Sequence, residues 1–153
     1  MANFITESEI EQIALDILSN DLGYTVLYGP DLAEGDRKER EYTEVVLQQR
    51  LITAINKFNP TIPEEAKEEA FKKALRSVTI SLADNNEHFH KMLTEGVDVK
   101  FSIGEGKTKT DKVWLIDFEK PKNNEFLAIN QFTVVENHPA SVGAGINKRP
   151  DIV

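Results

Sequence analysis

The chain has 153 residues and a net charge of −8, with 26 acidic and 18 basic side chains. This length fits one domain, and 40% hydrophobic with 29% charged residues is ordinary for a globular protein. Cysteine is absent, which excludes a disulfide scaffold, a thiolate zinc site and a cysteine nucleophile. With neither a membrane-length apolar run nor a secretory signal in the sequence, we expect a cytoplasmic protein without membrane contact.

The acidic charge is unevenly distributed along the chain. Residues 1–99 carry a net charge of −9, whereas residues 100–153 carry a net charge of +1. This balance gives no support to a basic protein that coats nucleic acid. A phosphate-bearing partner would meet the C-terminal part of the chain more easily.

The first 95 residues are predicted to be mainly helical. A capping box at Thr6–Glu9 begins a helix whose apolar residues Ile10, Ile13, Ala14, Ile17 and Leu18 recur at helical spacing, and the helix is expected to end near Gly23. A short strand at 24–28 follows. Further helices are expected over roughly 41–58, from Pro63 onward, and over 84–95. Residues 36–95 thus resemble an inserted helical block that serves packing or subunit contact.

After Gly96 the hydrophobic period changes from helical to extended. Strands are predicted over 97–103, 113–118 and 126–135, followed by a loop over 137–149. The last four residues, from Pro150, begin an apolar strand. Because a domain rarely ends one step into a buried strand, we expect the chain to be a truncated or proteolysed piece of a longer protein.

Two motifs that suggest ligand binding have simpler explanations. Gly104–Thr108 resembles the end of a phosphate-binding loop, but position 101 is Phe where that motif needs glycine, and a strand is expected afterwards instead of a helix. We interpret it as a hairpin loop. His88 and His90 would point to different faces of a helix, and His138 stands alone in a loop, so we interpret all three as surface or boundary residues.

Asp151 is the first carboxylate that stands out by position. It opens the final apolar strand, directly after Pro150 and just behind Lys148 and Arg149. A carboxylate there is well placed to bind Mg²⁺, and the adjacent bases could contact phosphate. The alternative is an ordinary turn aspartate at the start of a strand.

Glu11 is the second such carboxylate, with Glu7 one turn earlier in reserve. On a helical wheel both lean toward the apolar side of the first helix. A carboxylate that leans toward the core costs free energy unless it is paired or bound to a metal. The alternative is that both acids only favour the helix start, where negative charge is stabilised.

Taken together, these features resemble the N-terminal part of the R (motor and nuclease) subunit of type I restriction enzymes. The resemblance covers nearly the whole chain and rests on an ordered set of short motifs: Glu7-x-x-x-Glu11 leading to Leu22-Gly23-Tyr24, Leu47-x-x-Arg50-Leu51-x-x-Ala54-Ile55 ending at Asn59-Pro60, Asn86-x-x-Phe89-His90-x-x-Leu93-x-x-Gly96-Val97, Leu115-Ile116-Asp117-Phe118, Asn130-Gln131-Phe132, and Arg149-Pro150-Asp151-Ile152-Val153.

The resemblance implies an α/β (α+β) fold with a mixed β-sheet flanked by helices, a PD-(D/E)xK nuclease core and a Mg²⁺ site. In that family the Asp of the Pro-Asp pair binds metal, which matches Asp151. A Glu on the first helix often completes the site, and Glu11 matches it better than Glu7. The following Glu-x-Lys strand, which would supply another metal ligand and the lysine near the attacking water, does not occur in these 153 residues.

The family's activity is Mg²⁺-dependent hydrolysis of phosphodiester bonds in unmodified double-stranded DNA. The resemblance also implies helicase-like motor domains that use ATP, and methylation and specificity subunits as partners. No Walker motif occurs in this chain, so ATP belongs only to those motor domains. We expect this polypeptide alone to be inactive as a nuclease. The alternative function is a non-catalytic protein–protein interaction module, which the acidic net charge favours.

Overall fold

The computed structural model describes residues 6–136 and 146–153, without the side chain of Ile146. In chain order its elements are α1 (Glu7–Asp16), a π-helical turn (Ile17–Asp21), β1 (Thr25–Tyr28), α2 (Gly29–Ala33), a 3₁₀ turn (Gly35–Arg37), α3 (Gln48–Phe58), α4 (Glu64–Leu75), α5 (Leu82–Glu95), β2 (Val97–Gly104), β3 (Lys107–Val113), a 3₁₀ turn (Pro121–Asn123), β4 (Leu127–Asn130), β5 (Val134–Glu136) and β6 (Ile146–Lys148). This mixture of helices and small sheets confirms the predicted α/β class.

The chain forms two compact units. The first contains the residues up to Leu47 together with those from Glu125 onward, and the second contains Gln48–Asn124. The second unit is therefore an insertion, in sequence, within the first. The prediction of one domain over 1–153 with a helical block at 36–95 stays a prediction. No helix in the described ranges has both the length and the apolar character needed to cross a membrane.

The first helix begins as the sequence predicts. The Thr6 hydroxyl accepts a hydrogen bond from the Glu9 N–H at 3.3 Å, and the Thr6 N–H donates to the Glu9 carboxylate at 2.7 Å. These two bonds satisfy backbone groups that the first helical turn leaves unpaired. The thermodynamically costly helix start is thus stabilised locally.

The buried face of α1 differs from the expected one. Ile10, Ile13 and Ile17 are 59%, 52% and 47% exposed, whereas Leu15 is buried and Glu11 is half-buried. The periodicity located the helix, but the side that packs is rotated toward Leu15 and Glu11. Periodicity alone could not decide this, because apolar side chains lie on more than half of the wheel.

A small mixed sheet organises the first unit. Strand β1 pairs in parallel with β4, from Thr25 opposite Leu127 to Tyr28 opposite Asn130. On the other side of β4, Ile129 and Val153 exchange two antiparallel backbone hydrogen bonds of 2.8 and 2.9 Å. The last residues therefore do pair as an extended segment, as the sequence predicts. Leu32, Ile129 and Phe132 form the buried core of this unit.

The predicted helix over 41–58 is wrong in its first third, since α3 begins only at Gln48. The reason is Arg40, whose side chain is 2% exposed. Its guanidinium donates to the carbonyls of Glu41 and Glu44 and to that of Thr133, and it lies 3.8 Å from the centre of the Phe132 ring. Carbonyls that a helix would use internally are therefore engaged by a tertiary contact.

The predicted strand over 126–135 is also interrupted, because Gln131 has a left-handed backbone with φ of 58°. The chain turns there, so that β4 ends at Asn130 and β5 begins at Val134. The expected loop over 137–149 contains β6 at its end, which pairs antiparallel with β5. The rest of that loop lies outside the described residues.

In the second unit, β2 and β3 form an antiparallel hairpin. Glu105 and Gly106 both have positive φ at the turn, which confirms that Gly104–Thr108 belongs to a hairpin. Helix α4 packs against β2, and Ile55, Ala70, Val99 and Val113 lie in the shared core.

The predicted strand over 113–118 is wrong, because β3 ends at Val113. Buried Asn59 donates to the Trp114 carbonyl at 2.8 Å and accepts from the Trp114 N–H at 2.7 Å. Since the Asn59 side chain occupies both backbone groups of Trp114, that residue has no groups left for strand pairing. An amide side chain far away in sequence thus ends the strand.

Replacing Arg40 with Met should destabilise the chain by about 2–4 kcal/mol. The substitution leaves the carbonyls of Glu44 and Thr133 without their donor and removes the cation from the Phe132 ring. Urea unfolding followed by circular dichroism measures the change. Arg37→Met, at an exposed position nearby, is the control and should stay within about 0.5 kcal/mol of wild type.

Replacing Gly29 with Ala should cost about 1–3 kcal/mol through overpacking. A Cβ at Gly29 would lie 2.7 Å from the Gln131 carbonyl carbon and closer still to its oxygen. Asp31→Ala on the exposed side of the same short helix is the control. Equal melting temperatures for the two variants would contradict the close approach of Gly29 to Gln131.

Candidate functional site

Glu11 is held at the half-buried side of α1 by a contact from the distant Asn130-Gln131-Phe132 motif. The Gln131 side-chain Nε2 donates to Glu11 Oε1 at 3.0 Å. An ionised carboxylate can only accept, so the amide presents its NH₂ group to Glu11. The amide adds no charge to this contact, and Glu11 Oε2 has no hydrogen-bond partner among the described residues.

The same glutamine contacts the strand that carries Asp151. The Gln131 backbone N–H donates to the Asp151 carbonyl at 2.9 Å, next to the bridge between Asn130 and Ile152. Glu11 and Asp151 are 140 positions apart in sequence, yet both contact one residue. Gln131 therefore links the Glu11 side chain to the backbone of the segment that carries Asp151.

The other predicted site residues differ in their surroundings. Glu7 is exposed, and Lys148 and Arg149 are exposed beside Asp151. Asp151 is itself exposed, and within residues 6–136 and 146–153 its carboxylate has neither an ion pair nor a hydrogen bond. Because Glu11 has a tertiary contact, we favour it over Glu7 as the α1 carboxylate of the candidate site.

Gln131 is the residue that sequence reasoning missed as part of this site. In the sequence, Asn130-Gln131-Phe132 stands out only as one of the motifs of the family resemblance. A glutamine has no charge and no special spacing that would mark it, and its left-handed φ is invisible in the sequence. The one available signal is the break that it makes in an otherwise continuous apolar strand pattern.

The carboxylates present fit a hard divalent cation only in part. Mg²⁺ is commonly bound through one or two carboxylates plus water and substrate phosphate, and Glu11 with Asp151 would supply such a pair. In the part of the chain that the structure describes, no group of three or more His, Asp or Glu side chains is arranged to hold a metal ion. The donor set is therefore compatible with Mg²⁺ but does not enclose it.

Asp117, which belongs to another of the family-like motifs, has a structural role in the second unit. Its carboxylate accepts hydrogen bonds from the Asn123 side chain at 2.6 Å and from the Lys120 N–H at 2.8 Å, and these bonds hold its pKa below the ordinary value. Its carboxylate thereby stabilises the turn that contains Lys120 and Asn123. His88 and His90 are exposed, as predicted, and His138 lies outside the described residues.

The family match and the similar proteins agree on one family. Residues 4–153 match the family described as type I restriction enzyme R protein N terminus. The chain is 36% identical over 132 residues to the type I restriction enzyme HindI endonuclease subunit of Haemophilus influenzae, covering 85% of this chain and 12% of that protein. It is 33% identical over 144 residues to a Methanocaldococcus jannaschii protein, covering 94% and 13%; the name of that protein, type I restriction enzyme MjaIXP endonuclease subunit, is provisional.

No solved structure matches the chain significantly. The chain spans about an eighth of the length of the two relatives, so their complete activity extends over much more polypeptide than is present here. The family match nevertheless covers almost every residue, including both carboxylates and Gln131. The chain belongs to the family of type I restriction enzyme R protein N-terminal regions.

Proposed function

We propose that this chain contributes part of the DNA-cleaving centre of a type I restriction enzyme R subunit, built as a PD-(D/E)xK nuclease. The observation that carries the proposal is the contact of Gln131 with both Glu11 and Asp151. This contact connects the side chain of an acid near one end of the chain with the backbone of an acid near the other end. The family membership and the names of the two relatives support DNA cleavage as the activity.

In this proposal Asp151 and Glu11 bind Mg²⁺, with Glu7 in reserve. A bound Mg²⁺ supplies a more acidic water and neutralises charge on the phosphodiester oxygens. Asp151 presents a carboxylate without a protein partner among the described residues, so no ion pair has to be broken. Glu11 presents the oxygen that Gln131 does not occupy.

Lys148 and Arg149 would contact the DNA backbone next to the cleaved bond. Both are exposed and lie directly before the Pro-Asp pair. Two local cations suit alignment of a phosphate more than strong binding, because each phosphate contact adds only a part of the affinity. The net charge of −8 agrees with this division, in which other domains bind most of the DNA.

The rest of the proposed centre lies outside this chain. A Glu-x-Lys strand would add another metal ligand and a lysine near the attacking water. Motor domains would hydrolyse ATP and move the DNA. Methylation and specificity subunits would choose unmodified sites on double-stranded DNA. These are expectations for the complete subunit.

In a complete R subunit assembled with its partner subunits, Asp151→Asn and Glu11→Gln should each lower DNA cleavage about 100-fold or more. Loss of a metal carboxylate removes several kcal/mol of charge stabilisation, and 1.36 kcal/mol corresponds to a factor of ten. The measurement is the rate of linearisation of an unmodified plasmid with Mg²⁺ and ATP. ATP hydrolysis, read in the same samples, should be retained.

Asp36→Asn is the matched control, since it removes an exposed acid far from the predicted site residues in sequence. Glu7→Gln compares the two helix acids directly. If Glu7→Gln lowers DNA cleavage and Glu11→Gln does not, Glu7 is the metal-binding acid of the helix instead of Glu11. Full cleavage by the Asp151→Asn subunit would exclude this residue as a metal ligand.

The 153-residue chain alone should not cleave DNA in the presence of Mg²⁺. No strand with Glu-x-Lys follows the Pro-Asp pair within these 153 residues, and two carboxylates without that lysine leave the attacking water without a base. A supercoiled plasmid incubated with the purified chain should stay supercoiled. Cleavage that Asp151→Ala abolishes would show that these residues suffice.

A protein–protein interaction module remains the second candidate, and one observation favours it. The isoleucines at positions 10 and 13 of α1 and at position 17 of the π-helical turn that follows are all about half exposed, which is unusual for three apolar side chains on one continuous helical segment. Such a stripe suits packing against another polypeptide. Normal cleavage by both carboxylate variants would make this the better description of the chain.

A further inference from the structure

Gln131 has a backbone conformation that its side chain does not explain. Its φ of 58° lies in the left-handed region, which residues other than Gly, Asn and Asp rarely adopt. Such a residue costs free energy and persists where the surrounding structure determines it from several sides. A glycine would fill this position at lower cost, so the glutamine side chain itself needs an explanation.

The backbone of Gln131 is fixed from two sides. Its N–H donates to the Asp151 carbonyl, and its carbonyl group lies against Gly29, where there is no room for a Cβ. Just beyond it, Arg40 binds the Thr133 carbonyl and covers the Phe132 ring. These contacts therefore fix the direction of the Cα–Cβ bond of Gln131.

The Gln131 side chain donates a hydrogen bond from Nε2 to Glu11 Oε1 at 3.0 Å. Among the contacts described for Glu11, this is the bond that links it to the Asp151 strand. A lysine or arginine in this place would neutralise Glu11 and compete with a cation, and an aspartate or glutamate would repel it. A neutral donor orients one oxygen and leaves the negative charge intact.

We propose that Gln131 is a positioning residue, which holds the Glu11 carboxylate at a fixed place relative to the Asp151 strand so that the two acids can share one divalent cation. This inference rests on the proposed function and adds to it a non-ligand residue with a defined task. Residues that orient metal-binding carboxylates typically change metal affinity about 10- to 100-fold when they are removed.

The test uses Mn²⁺ as the probe on the 153-residue chain, read as paramagnetic broadening of backbone amide signals near Glu11 and Asp151 in NMR spectra. Four variants are compared with wild type: Gln131→Gly, Gln131→Asn, Glu11→Gln and Asp151→Asn. Gln131→Gly suits the left-handed backbone but has no amide. Gln131→Asn keeps the amide and tolerates the backbone, but is one methylene too short to reach Glu11.

We expect Gln131→Gly and Gln131→Asn to keep or raise the melting temperature while weakening Mn²⁺ binding about 10-fold or more. A purely structural role of Gln131 predicts that both variants bind Mn²⁺ with unchanged affinity, whatever happens to their stability. The separation of stability from metal affinity is therefore the signature of positioning.

Two contrary results are distinguishable. If Glu11→Gln and Asp151→Asn weaken Mn²⁺ binding but both Gln131 variants bind as wild type, the positioning role is overturned and the proposed site stands. If wild type shows no Mn²⁺-dependent broadening at these residues, or if neither carboxylate variant changes it, the shared cation site and the role of Gln131 are overturned together.

Discussion

The left-handed turn at Gln131 is the constraint on which the arrangement of the first unit depends. It ends β4, sends the chain into β5 and directs one N–H to the final extended segment. Gly29 permits the turn because it has no side chain to collide with the Gln131 carbonyl. A sheet strand that simply continued through this point would carry the Gln131 side chain elsewhere and leave Glu11 without its contact.

Arg40 stabilises the same region from the other side, although burying its charged guanidinium costs desolvation free energy. A buried guanidinium is tolerated when most of its N–H groups are used. Here Nη1 and Nη2 donate to the carbonyls of Glu41, Glu44 and Thr133, whereas the buried Nε has no hydrogen-bond partner among the described residues. Burial lowers the pKa of Arg40 from its ordinary value, but an arginine remains charged over the physiological range. The segment before α3 is thereby tied to the residues that follow Gln131.

The second unit follows the same principle with a neutral side chain. Asn59, 3% exposed, ends α3 by donating to the Ile55 carbonyl and then pairs with both backbone groups of Trp114. A single amide therefore terminates a helix and a strand at once. Arg40 and Asn59 thus both take backbone hydrogen-bonding groups that a helix or strand would otherwise use.

The sequence by itself determined the class of the fold, the capping box of α1, the helices that end at Asn59 and Gly96, the hairpin at Gly104–Thr108 and the family. It also singled out Glu11 and Asp151, because a carboxylate on an apolar helix side and another at the mouth of an apolar strand are unusual placements. These are local signals of period, turn chemistry and position, which need no knowledge of the neighbours.

Only the tertiary structure decided where α3 begins, where β3 and β4 end and which side of α1 packs. Each of these depends on a contact between residues far apart in sequence: Arg40 with Thr133, Asn59 with Trp114, and Gln131 with Glu11. The role of Gln131 belongs to the same group. A neutral glutamine has no local signature, and the role proposed for Gln131 depends on the backbone position that Gly29 and the Asp151 strand fix.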